Sequence, residues 1–318
     1  MTRSVSFRPA RPEDLAACTE IWAAGIGDYY RNRLHQPWEP GDLAPLGRAL
    51  AHLLSTDTAL FRVATRPDGS GAEQVIGFGA ANERGATWFL SMLFVQPGSQ
   101  GDGIGRAILE QILPRTIGHD AVLATATDSV QAVSNALYAR YGMVPRLPVF
   151  QLVGRPIGSG RLPTLPEGIR VEAFDGGGPD RPTEASDDLA HTLDHVDLEV
   201  LGRIRPDDHR YLWREGRLGF VYRTEGGHPL GYGYASRAGR LGPIAVVDTD
   251  LLAPVAAHLL ETLVPPGASA IWLPGDAGAL YPILLGAGFR IEGFPALFCW
   301  NRPVADFSRY VPISLGLI

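Results

Sequence analysis

The stretch Leu93-Phe94-Val95-Gln96-Pro97-Gly98-Ser99-Gln100-Gly101-Asp102-Gly103-Ile104-Gly105-Arg106 constrains this chain more than any other. It joins an apolar strand to a helix through a loop with glycine at alternate positions. Trp88 to Val95 is apolar on both faces and β-prone, the pattern of a strand buried inside a sheet. Pro97 ends it. From Ile104 the apolar residues recur at Ile108 and Ile112, with Leu109 and Leu113 beside them, which is a helical period. The loop therefore lies at a helix N-terminus, where unpaired amides and the positive end of the dipole favour a bound anion. Gly101, Gly103 and Gly105 let the backbone approach such a ligand closely, as a diphosphate requires.

Two phosphate loops are excluded by spacing and composition. A dinucleotide fingerprint counted from Gly101 puts Arg106 where the third glycine belongs. A Walker loop needs lysine, and all 28 basic residues here are arginine. A second informative segment follows downstream. Ala121 to Thr127 reads as another buried strand, and Val130 to Tyr141 as a helix with the stripe Val133, Leu137 and Tyr141. Gly142-Met143 stops that helix, with Pro145 beyond. Tyr138 falls one helical step off the stripe.

The piece Gln100-Gly101-Asp102-Gly103-Ile104-Gly105 resembles the Q/R-x-x-G-x-G/A loop of the GCN5-related N-acetyltransferase (GNAT) superfamily. Leu137-Tyr138-Ala139-Arg140-Tyr141-Gly142-Met143 resembles the family's L-Y-x-x-x-G-F segment, with methionine in place of phenylalanine. The resemblance implies acetyl-CoA as co-substrate, no metal, and direct transfer of an acetyl or short acyl group to the amine of a small-molecule acceptor. It implies that Gln100, Gly101, Asp102, Gly103, Ile104, Gly105 and Arg106 form the diphosphate loop, and that Leu93, Phe94 and Val95 pair with the pantetheine arm and polarise the thioester. By the same resemblance Tyr138 protonates the departing thiolate, and Gln131 stands where the family often has an asparagine touching the cofactor. The family's strand glutamate is missing, since Trp88 to Val95 holds no acidic residue. The general base is then sought at Asp128 or Glu83, each of which also reads as a turn or helix-cap carboxylate. In this fold the first two helices and their connection build the acceptor pocket, here Asp28 to Glu39 with Tyr29, Tyr30 and Trp38. A non-catalytic acyl-CoA sensor or interaction module is the alternative.

Length and composition set the organisation. The chain has 318 residues, 45% of them hydrophobic, enough for two domains of ordinary size. Gly154 to Gly168, with four glycines and three prolines, reads as a linker. The expected fold is α/β (α+β), with two tandem acetyltransferase-like domains, each a mixed central sheet flanked by helices. The expected boundaries are residues 1–154, a linker at 155–168, a second domain at 169–301 and an apolar tail at 302–318. The second domain repeats the element order but not the chemistry. Val247-Asp248-Thr249-Asp250-Leu251-Leu252 replaces the glycine loop, and Leu284 takes the tyrosine position ahead of Gly288, with Tyr281 out of register.

Charge and punctuation settle several smaller points. The net charge of −6 lies entirely in the second half, which argues against nucleic acid as a partner. The acidic stretch Glu184 to Asp208, with Asp187, Asp188, Asp194, Asp197, Glu199 and Asp207, reads as a solvated helix face. His35 and His52 read as exposed polar residues, and Cys18 and Cys299 as small buried hydrophobes. No apolar run approaches a membrane span and the N-terminus lacks a signal-peptide core, so a cytoplasmic monomer or homodimer is expected. The apolar segment Tyr310 to Ile318 is expected to pack back onto a domain, with the first as the candidate.

Overall fold

A computed structural model describes residues 5–69, 71–116, 118–156, 162–175 and 185–318. The first half runs β1 (Ser6–Pro9), α1 (Leu15–Asn32), α2 (Ala44–Thr56), β2 (Phe61–Pro67), β3 (Glu73–Arg84), β4 (Thr87–Val95), α3 (Ile104–Ile112), β5 (Val122–Asp128), α4 (Ala132–Ala139) and β6 (Val144–Gly154). The second half repeats that order: β7 (Ile169–Asp175), α5 (Asp187–Leu201), α6 (Pro206–Arg214), β8 (Leu218–Thr224), β9 (Pro229–Ala235), β10 (Leu241–Val246), α7 (Leu252–Thr262), β11 (Ser269–Pro274), α8 (Leu280–Gly286) and β12 (Arg290–Trp300). A short strand, β13 (Tyr310–Val311), closes the chain. The fold is mixed α/β, with two sheets flanked by helices.

Compactness divides the chain elsewhere than at the glycine- and proline-rich linker. One unit comprises the residues up to Glu83 together with Trp88–Ala121, and the other Arg84–Thr87 together with the residues from Val122 onward. Within the first unit the strand order is β1-β2-β3-β4. Helices α1 and α2 cover one face through Cys18, Ile21, Leu50 and Leu53 against Phe61, Val63 and Phe78. Helix α3 covers the other through Ile104 and Ile108 against Ala64 and Ile76. Helix α1 is preceded by Asp14, whose carboxylate accepts the Arg11 N–H at 2.8 Å and both Arg8 guanidinium nitrogens at 2.7 and 2.9 Å.

The second unit contains an antiparallel sheet ordered β13-β10-β9-β8-β7 and the strand run β5-β12-β6-β11. That run explains the unexpected division. Strand β12, made by the second half, pairs with β5 of the first (Ala296 opposite Asp128, Cys299 opposite Thr125). Strand β6, made by the first half, pairs with β11 of the second (Leu152 opposite Ile271). The two exchanged strands also pair with each other, antiparallel. Within this run the last strand of each half therefore pairs with a strand of the other half.

Sequence pattern did not reveal β6, because Pro145 and Pro148 interrupt it. Pro145 lies where a sheet tolerates proline, at the register shift between Phe298 and Cys299 next to the strand's start, whereas Pro148 stands in register opposite Leu297. Pro295 likewise falls inside the shift between Glu292 and Ala296 of β12. At the far end of β6 a Cβ on Gly154 would come within 2.7 Å of Phe289 Cα and 2.9 Å of Gly288 O. Backbone cannot step aside as a side chain can. Gly154→Ala is expected to destabilise the protein by about 1–3 kcal/mol, read as a lower urea midpoint with an unchanged slope.

The tail joins the second half rather than the first. Residues Tyr310 and Val311 pair with Ala245 and Ile244 of β10, and Phe307 stacks on Phe298 of β12 at 4.8 Å between centroids. Residues 157–161 of the linker, and Thr183 and Glu184 ahead of α5, lie outside the described residues. Among the described residues no helix is long and apolar enough to cross a membrane, and no cluster of three potential metal ligands occurs.

Candidate active site

The glycine loop lies in the first unit, between β4 and α3. Gly101 and Gly103 are left-handed, with φ of 94° and 77°, and an added Cβ at either would meet no atom within 4 Å. A chain of L-residues resists that geometry, so glycine is required here for conformation and not for lack of room. The Gln100 side chain donates to Val95 O at 3.0 Å and ties the loop to the end of β4. The first intrahelical bond of α3 runs from Ala107 N–H to Gly103 O at 3.0 Å, which leaves the amides of Ile104, Gly105 and Arg106 without a helical acceptor. Gly101, Asp102 and Gly103 take part as donors in none of the turn bonds around the loop. The result is an open run of N–H groups at the positive end of a helix. Arg106 is exposed and pairs with Glu110 at 3.8 Å along the helix surface.

Strand β4 changes character along its length. Thr87 to Leu90 are buried, whereas Ser91 to Val95, including Leu93 and Phe94, are only half-buried. Phe94 stacks on Phe78 at 5.8 Å and meets Trp22 of α1 at 6.2 Å. Trp22 in turn meets Trp38 at 6.4 Å edge-on, and Trp38 meets Tyr30 at 6.4 Å. The α1–α2 connection thus brings its aromatic groups to the half-exposed end of β4, next to the loop. His35 is exposed, but His52 is buried on α2, a correction to its reading as a surface residue.

Tyr138, Asp128 and Gln131 belong to the second unit, on β5 and α4. Tyr138 is 5% exposed. Burial pushes its hydroxyl well above the usual phenol range, offset in part by a hydrogen bond with Ser134 one turn earlier. Asp128 Oδ1 accepts the Val130 N–H at 3.0 Å, and its main-chain oxygen accepts from Gln131 N–H and Asn135 Nδ2, both at 3.1 Å. Asp128 therefore starts α4, whatever else it does. Gln131 occupies the N-cap position, and its carbonyl accepts from Asn135 Nδ2 at 2.9 Å. Glu83 is exposed, and its N–H donates to Asp57 Oδ1 at 3.0 Å.

Residues 58–144, spanning β2 through α4, match the family model of the acetyltransferase (GNAT) domain. The chain carries a GNAT domain. Its fold is also that of solved GNAT structures along nearly the whole length. A Pyrococcus horikoshii protein assigned as an acetyltransferase superposes with a TM-score of 0.69 at 15% identity, covering 100% of this chain and 97% of its own. A GCN5-related N-acetyltransferase of Sphaerobacter thermophilus gives 0.56 at 17% identity, covering 96% and 98%. A tandem GNAT protein from the clavulanic acid biosynthesis pathway, solved without acetyl-CoA, gives 0.55 at 15%, covering 94% and 99%. No curated protein matches the sequence. The GNAT family supplies acyl transfer as the general chemistry and acetyl-CoA as the family's donor.

The second repeat holds a buried ionic network that its acidic composition concealed. Asp197 and Arg205 are 0% and 2% exposed and pair through both carboxylate oxygens at 3.2 Å. His209 Nε2 lies 3.0 Å from Asp197 Oδ2 and its Nδ1 lies 2.7 Å from the Tyr234 hydroxyl. Tyr232 donates to Asp197 Oδ1, and Arg205 donates to the hydroxyls of Tyr232 and Tyr310. Asp208 is buried too and pairs with Arg84 at 2.9 Å. Two of the acids read as a solvated face are therefore interior. The signal was present: Asp197 shares the α5 stripe of Leu193, Val196, Val200 and Leu201.

Proposed function

We propose that the chain moves an acetyl or short acyl group from acetyl-CoA directly to the amine of a small-molecule acceptor, with the first GNAT repeat as the catalytic one. The observation that carries this reading is the open run of amides from Gly101 to Arg106 at the start of α3, shaped by two left-handed glycines. In this reading the loop binds the diphosphate, the half-exposed end of β4 (Leu93 to Val95) pairs with the pantetheine arm, and Gln131 adds a side-chain contact. The group around Trp22, Tyr30 and Trp38 lines the acceptor pocket. The setting is the cytoplasm.

The acceptor nitrogen attacks the thioester carbon and the carbon–sulfur bond breaks. Asp128 takes the proton released by the amine, directly or through water, and Tyr138 gives its proton to the thiolate sulfur. A phenol kept neutral by burial holds that proton until a thiolate is there to receive it. Direct transfer is also supported by the two thiols. Burial pushes both Cys18 and Cys299 up to about 12, so neither is a thiolate near neutral pH and neither offers an acyl-enzyme route.

Tyr138→Phe tests the assignment. Acetyl-CoA affinity, read by calorimetry, is expected to stay within roughly twofold, while turnover falls about 10²–10⁴-fold, the usual worth of a general acid. Turnover is read as free thiol released across a panel of amines. Unchanged turnover would remove Tyr138 from the mechanism. Acetyl-CoA binding without thiol release from any amine would favour the acyl-CoA sensor instead.

A further inference from the structure

We infer that the second repeat is filled from within: the segment Arg309–Val311 lies as a strand in the cleft where the first repeat is proposed to take the acyl-CoA arm, and Asp248 supplies the anion at the following helix. This rests on the proposed role of β4 and its loop, because β10 is the repeat's counterpart of β4 and β11 the counterpart of β5.

Four observations meet at this place. Strands β10 and β11 start side by side, with Arg240 bridged in parallel to Ala270 and Ala270 N–H donating to Gly239 O at 2.9 Å. They then separate, and β13 enters beside β10 while also touching β11. Its main chain bonds to the strand as an added β-strand does, with Val246 N–H donating to Arg309 O at 3.0 Å, and the Arg309 guanidinium adds a side-chain bond to Val247 O at 2.9 Å. The approach is close, since a Cβ on Gly242 would fall 2.9 Å from Pro312 O. The outcome shows in burial. Strand β10 is buried to its last residue, whereas β4 is only half-buried from Ser91 onward.

The loop after β10 is occupied in the same sense. Asp248 Oδ1 accepts the Asp250 N–H at 3.0 Å, so a carboxylate of the chain caps one amide of the turn that leads into α7. In the first repeat the loop that leads into α3 ends on Gly103, which has no side chain to cap an amide. The buried network then acts as the anchor of the inserted strand. Arg205 donates to the Tyr310 hydroxyl at 2.9 Å and lies 5.3 Å from the centre of its ring, with Asp197 as its counter-charge. Arg203 holds the flanks, donating to Val304 O at 2.6 Å and Ile318 O at 3.4 Å. The second repeat thus keeps the separated strands of the fold with the chain's own tail as a permanent strand-like ligand.

Two measurements on the full-length protein test this. Calorimetry with acetyl-CoA is expected to give one site per chain, and two sites would overturn the inference while leaving the proposed function standing. Amide hydrogen exchange followed by NMR, with no acetyl-CoA present, reads the strand itself. Val246 N–H, which bonds only to the tail, is expected to be protected like Val247 N–H, which bonds to Leu230 O inside the sheet. Tyr310→Phe should then speed exchange at Val246 by roughly tenfold or more while Val247 is unchanged, as expected for loss of a hydrogen bond to a charged group. Free exchange at Val246 in the unaltered protein, or an equal effect of Tyr310→Phe on both amides, would overturn the inference. A chain that binds no acetyl-CoA would defeat the proposed function alone, and the exchange data would still decide the placement of the tail.

Discussion

Asp197→Ala is expected to cost the fold about 3–5 kcal/mol, the range for removing one partner of a buried ion pair. The cost arises from what is left behind. Arg205 is 2% exposed and would keep its full charge in the interior, since no other carboxylate bonds to it in the network. The hydroxyls of Tyr232 and Tyr310 can orient around that charge but cannot neutralise it. Urea unfolding would show the loss as a large fall in midpoint at constant slope. A change within about 0.5 kcal/mol, typical of a surface site, would mean that the network is not interior in solution.

The same residue sets a pH dependence. Desolvation by itself would raise the Asp197 carboxyl, but the charges of Arg205 and His209 outweigh it and hold the group well below the usual carboxylate range. A group lowered on folding stabilises the protein above its unfolded value, near about 3.9 for aspartate, and that contribution is lost as pH falls toward the folded value. The native protein should therefore lose stability steeply below about pH 4, and Asp197→Ala should show a shallower fall over the same interval.

The second large effect concerns the glycine loop. Gly103→Val is expected to weaken acetyl-CoA binding roughly a hundredfold or more, equivalent to losing two hydrogen bonds to a charged group. Gly103 is left-handed at φ 77° and its side-chain position is open, so a branched residue strains the loop and fills the space in front of the amides without striking the protein. The strain, about 1–2 kcal/mol for a non-glycine residue there, sits in an exposed loop and leaves the core intact. Calorimetry on the folded variant separates the two consequences. Affinity within threefold of the parent would show that the loop is not the anion cradle.

Much of the fold was legible because its elements carry local periods. The alternation of Gly101, Gly103 and Gly105 between a buried strand and an amphipathic helix marked β4, the loop and α3. The stripe Val133, Leu137 and Tyr141 marked a helix at α4 but not its buried face: Val133 is 71% exposed, Tyr141 lies beyond the helix, and Tyr138, read as one step off the stripe, is the buried residue. The exchange of β6 and β12 was not legible, since the choice of partner strand is a long-range matter that neither strand encodes locally, and the prolines of β6 conceal even the strand. The destination of the tail was hidden for the same reason. Asp197 was misread by composition and would have been found by period, because a charge on the apolar face of α5 has to be paired. At the site, the left-handed glycines followed from residue type, whereas the burial of Tyr138 depends on how α4 packs and could not be read from its spacing.

The exchanged strands also bear on how the protein is made. On the ribosome β5 is complete at Asp128, but the strand that covers its edge ends at Trp300, about 170 residues later. At ordinary translation speeds that is a delay on the order of ten to thirty seconds. During that time a β-prone edge waits unpaired, the condition under which nascent chains associate with one another or engage chaperones. The finished protein is thus reached through a half-made product, and Pro145, Arg146 and Pro148 of β6, which waits for β12 as β5 does, are suitable guards for an unpaired edge.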